Sequence, residues 1–295
     1  MIGKLRRILV LITLMTGAAC TMAQAVSNNM ADSIPVSERY LQLADSARYY
    51  IFKEQWGEAA RCTREALRLE PGNVGNVMLF SNLGLATGME GKYGEAMQCF
   101  EIALSRAPRS IPVLTAKAKI QVMSSDEDGA METLDTILSI DSVAEWPLQT
   151  RGLLRLKAKD FRGAARDFLT VTRNYKENTW GPGGMAKCME VQGYLSEAAG
   201  YYQDAINRCK TGDEDKVEFQ LGLIENLGYT GKIQEGLDAA KEAIRENPHD
   251  GRLYLLRGWL KKKIFLTREA EADKKLAIDY GVDPQTIARF MPDER

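Results

Sequence analysis

Histidine is almost absent from this sequence: His249 is the only one in 295 residues. Catalysis by a Ser-His-Asp or Cys-His arrangement needs a histidine beside the nucleophile. His249 follows Asn247 and Pro248, a combination typical of an exposed turn, where a general base would lack a pocket and a partner residue. The near absence of histidine therefore excludes these classes of catalytic site and favours a protein that is not an enzyme.

An excess of basic charge is also missing. The 39 Lys and Arg residues are balanced by 40 Asp and Glu residues, which leaves a formal net charge of −1. A protein that binds nucleic acid usually presents a basic field, so the composition argues against a nucleic-acid partner. Beyond the N-terminus, no apolar run approaches the ~20 residues that span a bilayer. No CxxC motif or Cys/His cluster suggests a metal, and we predict no cofactor.

The N-terminus has the pattern of a secretory signal peptide. Basic residues lie within residues 1–7, an apolar run covers residues 8–15, and Ala23-Gln24-Ala25 matches a cleavage site. We therefore predict a signal peptide over residues 1–25 and a polar linker over residues 26–39. This pattern predicts an exported protein of the periplasm or cell envelope.

Cys20 supports a different interpretation of the same segment. It follows Gly17-Ala18-Ala19 and could accept a lipid, although Gly17 stands where lipoprotein signals usually carry leucine. In that case the protein would be an outer-membrane lipoprotein with a lipid anchor at Cys20. The sequence leaves both alternatives open.

Residues 77–110 contain two amphipathic helical patterns joined by a short turn at Gly91. Small residues recur where the two helices would cross, Gly84 in the first and Ala96 in the second, and Pro108 ends the pattern. This spacing resembles the tetratricopeptide repeat (TPR), a helix-turn-helix unit of about 34 residues. The Gly-Lys pairs at these turns lack the rest of a phosphate-binding motif and are explained by the turn.

The same spacing of residues recurs along the rest of the chain and predicts further repeats. Repeats are predicted to start near residues 40, 77, 111, 145, 179, 217 and 251. The resemblance implies an all-α fold: a right-handed superhelical solenoid of about seven TPR repeats over residues 40–284, with a short C-terminal capping helix over residues 285–295. Repeats two and six start late. We expect extra residues before repeat two to lengthen its first helix or the preceding turn, and those before repeat six to add a helical turn.

Four cysteines remain after removal of the leader: Cys62, Cys99, Cys188 and Cys209. An even number in an exported protein suggests disulfides. However, Cys62 and Cys99 hold the same position in adjacent repeats, where equivalent helices lie ~8–10 Å apart. That exceeds the ~7 Å between Cα atoms that a disulfide tolerates. We therefore predict four unpaired thiols, buried or half-buried.

In TPR proteins the first helix of each repeat lines a concave groove, where partner peptides or proteins bind. Transferring the inward positions of this family to the chain predicts partner-binding residues at Arg48, Asn82, Lys119, Gln149, Lys187 and Trp259. Arg48 and Asn82 match part of a TPR clamp for C-terminal carboxylates. Pro112 and Ala116 replace its next basic pair, so the resemblance does not extend to chaperone-tail binding.

Two aromatic features complete the predicted groove. Trp146 and Trp180 hold the same early position in neighbouring repeats, where they would form an aromatic step along the groove or pack on the turns before their own helices. Trp259 with Lys262 and Lys263 forms a basic-aromatic patch, which is either a solvated face or a site for an acidic segment. Trp146, Trp180 and Lys263 join the predicted partner-binding residues.

Together with the predicted signal peptide, the resemblance implies a non-enzymatic interaction scaffold of the bacterial cell envelope. It would bind another protein or peptide in the concave groove through many weak contacts. The alternative function is a structural subunit, anchored by lipid or free in the periplasm, of an outer-membrane assembly or secretion complex.

Overall fold

A computed structural model describes residues 37–210 and 212–292. These residues form fifteen helices and no strand: seven consecutive helix pairs are followed by one short helix. The helices are α1 Glu38–Phe52, α2 Trp56–Leu69, α3 Asn76–Met89, α4 Tyr93–Arg106, α5 Ile111–Met123, α6 Glu127–Ile140, α7 Glu145–Lys157, α8 Phe161–Asn174, α9 Trp180–Val191, α10 Leu195–Arg208, α11 Lys216–Tyr229, α12 Ile233–Glu246, α13 Gly251–Lys263, α14 Thr267–Asp279 and α15 Pro284–Phe290. The predicted all-helical fold of helix-turn-helix repeats with a short final helix is confirmed.

The chain divides into two compact units between Pro147 and Leu148, inside α7. We call α1, α3, α5, α7, α9, α11 and α13 the first helices, because each opens a pair. In the first unit, α1 contacts α3 and α3 contacts α5; in the second, α11 contacts α13. The first helices of these successive repeats therefore pack side by side. The predicted signal peptide, most of the linker and Cys20 lie outside the described residues.

The turn inside each pair reverses the chain through one residue with positive φ. Glycine occupies this position in repeats two, five and six, as at Gly91, where φ is +82°. This left-handed conformation is favourable for glycine and costs other residues free energy because of their β-carbon. Glu54, Ser125, Lys159 and Phe265 nevertheless adopt it in the other four repeats. The turn geometry is thus shared by all seven pairs, whatever residue occupies it.

The late starts of repeats two and six have one explanation. α2 ends at Leu69 and α3 begins at Asn76, while α10 ends at Arg208 and α11 begins at Lys216. All four helices have 14 residues, and so do α4 and α12, which pair with α3 and α11. The extra residues therefore lengthen the connections between repeats. The expected additional helical turn before repeat six was wrong, because those residues include Gly212 with φ +85°, which does not continue a helix.

The core forms where an aromatic or branched side chain of a second helix enters the space left by small residues on first helices. Phe100 is completely buried, and a β-carbon added to Gly84 would lie 2.8 Å from its ring. All four described cysteines are free, two buried and two half-buried, as predicted. Burial raises the pKa of the Cys188 thiol to about 12, so it stays protonated and behaves as a small apolar group.

Replacing Gly84 with leucine is expected to lower the free energy of unfolding by ~1–3 kcal/mol, because the new side chain must displace the Phe100 ring. Gly94→Leu is the matched control, since a β-carbon there meets no atom within 4 Å. Lys92→Ala, in the exposed turn, should cost under ~0.5 kcal/mol. Thermal and urea unfolding would measure all three variants. Equal shifts for Gly84→Leu and Gly94→Leu would contradict this packing.

Candidate partner-binding surface

In the first unit, three predicted partner-binding residues lie on successive first helices: Arg48 on α1, Asn82 on α3 and Lys119 on α5. Arg48 is exposed and pairs with Asp45 one helical turn before it. Asn82 is half-buried. Because α1 contacts α3 and α3 contacts α5, the helices that carry these residues are neighbours. A partner that lies across the first helices could reach all three.

Lys119 is the most perturbed of these residues. Its Nζ lies 5.5 Å from the centroid of the Trp146 ring, which attracts the cation through its π-electron face. Burial lowers the pKa of Lys119, because the ammonium group has lost part of its hydration. An incoming carboxylate would compensate for that loss. Lys119 and Trp146 therefore form a half-buried pair suited to an acidic or polar group.

In the second unit, two basic and two acidic side chains lie on α9, α11 and α15. Lys187 pairs with Glu190 at 2.8 Å, and the Tyr202 hydroxyl donates a 2.5 Å hydrogen bond to the same carboxylate. Glu225 on α11 pairs with Arg289 of α15 at 2.6 Å. These contacts place the predicted residue Lys187 within a mixed-charge network that sequence reasoning did not identify.

The carboxyl of Glu225 is held in an unfavourable environment. Burial is the main reason that its pKa is raised, and the negative charge of Glu190 adds to the effect. Arg289 and Lys187 oppose it by stabilising the carboxylate. A cationic or hydrogen-bond-donating partner group would stabilise the ionised Glu225 further. This network, formed by Lys187, Glu190, Glu225 and Arg289, is called the α9–α11 charge network below.

Trp180 joins two repeats of the second unit. Its indole Nε1 donates a 3.0 Å hydrogen bond to Asp215, and its ring meets Phe219 edge-on at 5.8 Å between centroids. Both partners belong to the segment that opens repeat six, and Trp180 remains only half-buried. Trp146 belongs to the other unit, so the aromatic step between Trp146 and Trp180 stays a prediction.

Trp259 packs largely in the core. It is 9% exposed, with ring centroids of Tyr229 and Phe290 at 5.0 and 5.3 Å. Lys263 lies above the remaining face, with its Nζ 4.7 Å from the ring centroid, and is itself exposed. Of this predicted patch, the cation is the part most accessible to a partner. Gln149, the last predicted residue, is half-buried on α7.

Sequence reasoning missed two buried ion clusters. Asp167 on α8 is 3% exposed and pairs with Arg151 and Arg155 of α7, each at 2.7 Å. Asp273 on α14 holds the equivalent position and pairs with Arg257 and Lys261 of α13 at 2.6 and 2.9 Å. A signal was available, because both aspartates occupy the repeat position that carries Cys62, Cys99 and Thr133 elsewhere. These clusters join the two helices of one pair and are structural.

His249 lines an open groove of about 680 Å³ in the second unit. The groove lies between the turns that follow α12 and α14, and the His249 ring packs edge-on against Tyr280 at 5.6 Å. In the part of the chain that the structure describes, no group of three His, Cys, Asp or Glu side chains is placed to hold a metal. None of the helices in that part is long and apolar enough to cross a membrane.

Comparisons with known proteins identify the fold. No protein-family model matches the chain, and no curated protein does. Among solved structures, a tetratricopeptide repeat protein from Parabacteroides merdae is 22% identical, with a TM-score of 0.60 over 86% of this chain and 98% of that one. YrrB, described as a TPR protein with an unusual peptide-binding site, is 18% identical, with a TM-score of 0.54 over 64% of this chain and 96% of that one.

A third structure, from the Cut9–Hcn1 hetero-tetramer of the APC/C, is 12% identical with a TM-score of 0.54; it matches 84% of this chain and 54% of that one. At these identities the likeness shows the fold alone. The chain therefore has the TPR solenoid fold that its repeat pattern predicted.

Proposed function

We propose that this protein is a non-enzymatic scaffold of the bacterial cell envelope that binds another protein or peptide against its first helices. The observation that carries this proposal is the incomplete solvation of one charged group on the first helices of each unit. Burial lowers the pKa of Lys119 and raises that of Glu225, so each group is destabilised in its ionised form. A partner group of opposite charge would stabilise the ionised form of the residue that it contacts. YrrB, with the same fold, has a peptide-binding site by its description.

Position-specific cross-linking in cells tests where the partner binds. A photoreactive amino acid would replace Asn82 or Lys187 on first helices, and Gln203 or Lys241 on second helices as controls. Gln203 and Lys241 are exposed on α10 and α12. We expect one protein to be captured from Asn82 and Lys187 and not from the controls. Capture from the second helices alone would contradict binding against the first helices.

The captured protein then allows a direct measurement of affinity. Lys187→Glu places a third carboxylate beside Glu190 and Glu225 and is expected to strengthen the binding of a cationic partner group about tenfold, because the network becomes more negative. Lys241→Glu, which reverses the same charge on a second helix, is the matched control. An unchanged affinity for Lys187→Glu would show that the α9–α11 charge network does not contact the partner.

The N-terminal segment separates this proposal from its alternative, a structural subunit of an outer-membrane assembly or secretion complex. Cleavage after Ala25 would give a mature protein that begins at Val26, whereas processing as a lipoprotein would give a lipidated Cys20. Intact-mass measurement of the protein isolated from cells distinguishes the two. A mass that includes an acylated Cys20 favours the anchored subunit, and a mass that begins at Val26 favours the soluble envelope scaffold.

A further inference from the structure

The turn between α13 and α14 exposes three consecutive apolar side chains. Ile264 is 40% exposed, Phe265 is 90% exposed and Leu266 is 41% exposed. Among the described residues, Phe265 is the most exposed of the large apolar side chains. Water is a poor solvent for apolar side chains. Single exposed apolar residues are common on protein surfaces, but three consecutive ones at the apex of a turn form a contiguous patch. We call residues 263–268 the repeat-seven tip.

The backbone of Phe265 makes its exposure more notable. Its φ is +63°, in the left-handed region, at the turn position that Gly193 and Gly231 occupy in the two preceding repeats. A bulky side chain in this region is strained, although Glu54, Ser125 and Lys159 tolerate the same conformation in other repeats. Phe265 recovers little of that cost by packing, because almost all of its side chain faces solvent. Stability of the isolated chain therefore does not explain this residue.

Cations flank the apolar apex. Lys263 and Arg268, at its two ends, are both exposed. Lys263 is held above the Trp259 ring, and neither residue forms an ion pair among the described side chains. Glu269, the nearest acid in sequence, already pairs with Lys261 at 3.4 Å. The repeat-seven tip thus presents an apolar wedge between two cations, in a protein that is otherwise nearly neutral.

We propose that the repeat-seven tip attaches this protein to the surface of an anionic lipid bilayer. Aromatic and aliphatic side chains are favourable at the boundary between headgroups and acyl chains, and Lys and Arg are attracted to the phosphates. The apex is convex, so it can enter a bilayer interface without a matching pocket, which a protein partner would have to supply. This inference goes beyond the proposed scaffold function and does not depend on partner binding at the first helices.

A single short tip implies weak and reversible attachment. One shallow apolar insertion gives marginal membrane binding, and a second signal is needed for stable anchoring. Each cation near an anionic surface adds about fivefold to the partition coefficient, and that gain falls with salt. We therefore expect the tip to hold the second unit weakly at the membrane surface, and we expect added salt to weaken this attachment.

Flotation with vesicles tests the proposal. The full chain would be made in a Cys20→Ser background, so that no lipid at that residue contributes. One set of vesicles contains phosphatidylethanolamine with one part in four of phosphatidylglycerol, and the other contains phosphatidylcholine alone. We expect binding to the anionic vesicles and much weaker binding to the neutral ones. Lys263→Gln combined with Arg268→Gln should lower anionic-vesicle binding by ~10-fold or more and leave neutral-vesicle binding unchanged.

Phe265→Gly separates a role in binding from a role in folding. Glycine relieves the left-handed strain at this position, so the thermal midpoint should stay the same or rise. Loss of the ring should nevertheless reduce vesicle binding by ~10-fold. Val74→Ser is the matched control, because Val74 is 80% exposed in the first unit and should not affect flotation.

Three results would overturn the proposal. The first is a wild-type chain that does not float with anionic vesicles, and the second is a Phe265→Gly variant that floats as well as the wild type. The third is self-association that rises with protein concentration and requires Phe265 while vesicle binding does not, since the apex would then be an interface between two copies. None of these results would affect the proposed first-helix binding site, because the cross-linking test uses different residues.

Discussion

Replacing Asp167 with alanine is expected to lower the free energy of unfolding by about 3 kcal/mol. The carboxylate is 3% exposed, and both the Arg151 and Arg155 guanidinium groups bind it at 2.7 Å. Those guanidinium groups are 17% and 20% exposed, so water cannot fully replace the lost carboxylate. Removing one partner from a buried ion pair is costly because the remaining charge stays partly desolvated. Urea denaturation followed by circular dichroism would measure the change.

Asp204→Ala is the control for this prediction. Asp204 pairs with Arg208 at 2.9 Å, but its side chain is 43% exposed, and exposed pairs contribute ~0–1 kcal/mol. Asp273→Ala should resemble Asp167→Ala, because Asp273 is equally buried and binds two cations in the same arrangement. A loss for Asp167→Ala no greater than for Asp204→Ala would mean that the cluster does not stabilise the repeat.

Replacing Phe168 with alanine should lower the free energy of unfolding by ~3–5 kcal/mol. The side chain is completely buried, and its ring lies against glycines of two successive first helices. A β-carbon at Gly152 would come within 2.9 Å of the ring, and one at Gly184 within 2.4 Å. Truncation would therefore leave a cavity where α7, α8 and α9 meet. Phe265→Ala removes the same group from an exposed site and should change stability by less than ~0.5 kcal/mol.

A double-mutant cycle sharpens the Phe168 prediction. Gly184→Ala alone should cost ~1–3 kcal/mol, because the new methyl group meets the ring. In the Phe168→Ala background the same methyl group occupies space that the ring has vacated. The combined loss should then be smaller than the sum of the two single losses, by ~1 kcal/mol or more. Additive losses would show that Gly184 and Phe168 are not in contact.

The repeat architecture could be read from local information. Small residues such as Gly84 and Ala96 mark the helix crossings, and their recurrence predicts the number and order of helix pairs. Each helix packs through an apolar face formed by residues three and four positions apart, and each connection between helices is short. The extra residues before repeat six show the limit of this reasoning. The repeat length reveals that residues have been inserted, but it does not indicate whether they extend a helix or a loop.

The predicted binding residues show a different limit. Position within the repeat places Lys119 and Lys187 on first helices, but it does not identify what surrounds them. Trp259 was assigned to the groove by its position, yet Tyr229 and Phe290 enclose most of its ring. Phe290 belongs to α15, which lies beyond the last repeat. The repeat template therefore does not predict where this helix packs. The burial of a side chain depends on such neighbours from other elements.

The chain's own residues were sufficient to determine the TPR fold, the turns between paired helices and the free cysteines. All of these follow from residues that are close in sequence or related by one repeat length. Only the tertiary structure decided which charges are partnered and which apolar groups stay exposed. Arg289 pairs with Glu225 across 64 residues, Asp167 is buried between two arginines, and Phe265 stands in solvent. The reason is that desolvation depends on the packing of several elements around one atom, and a one-dimensional pattern does not contain that information.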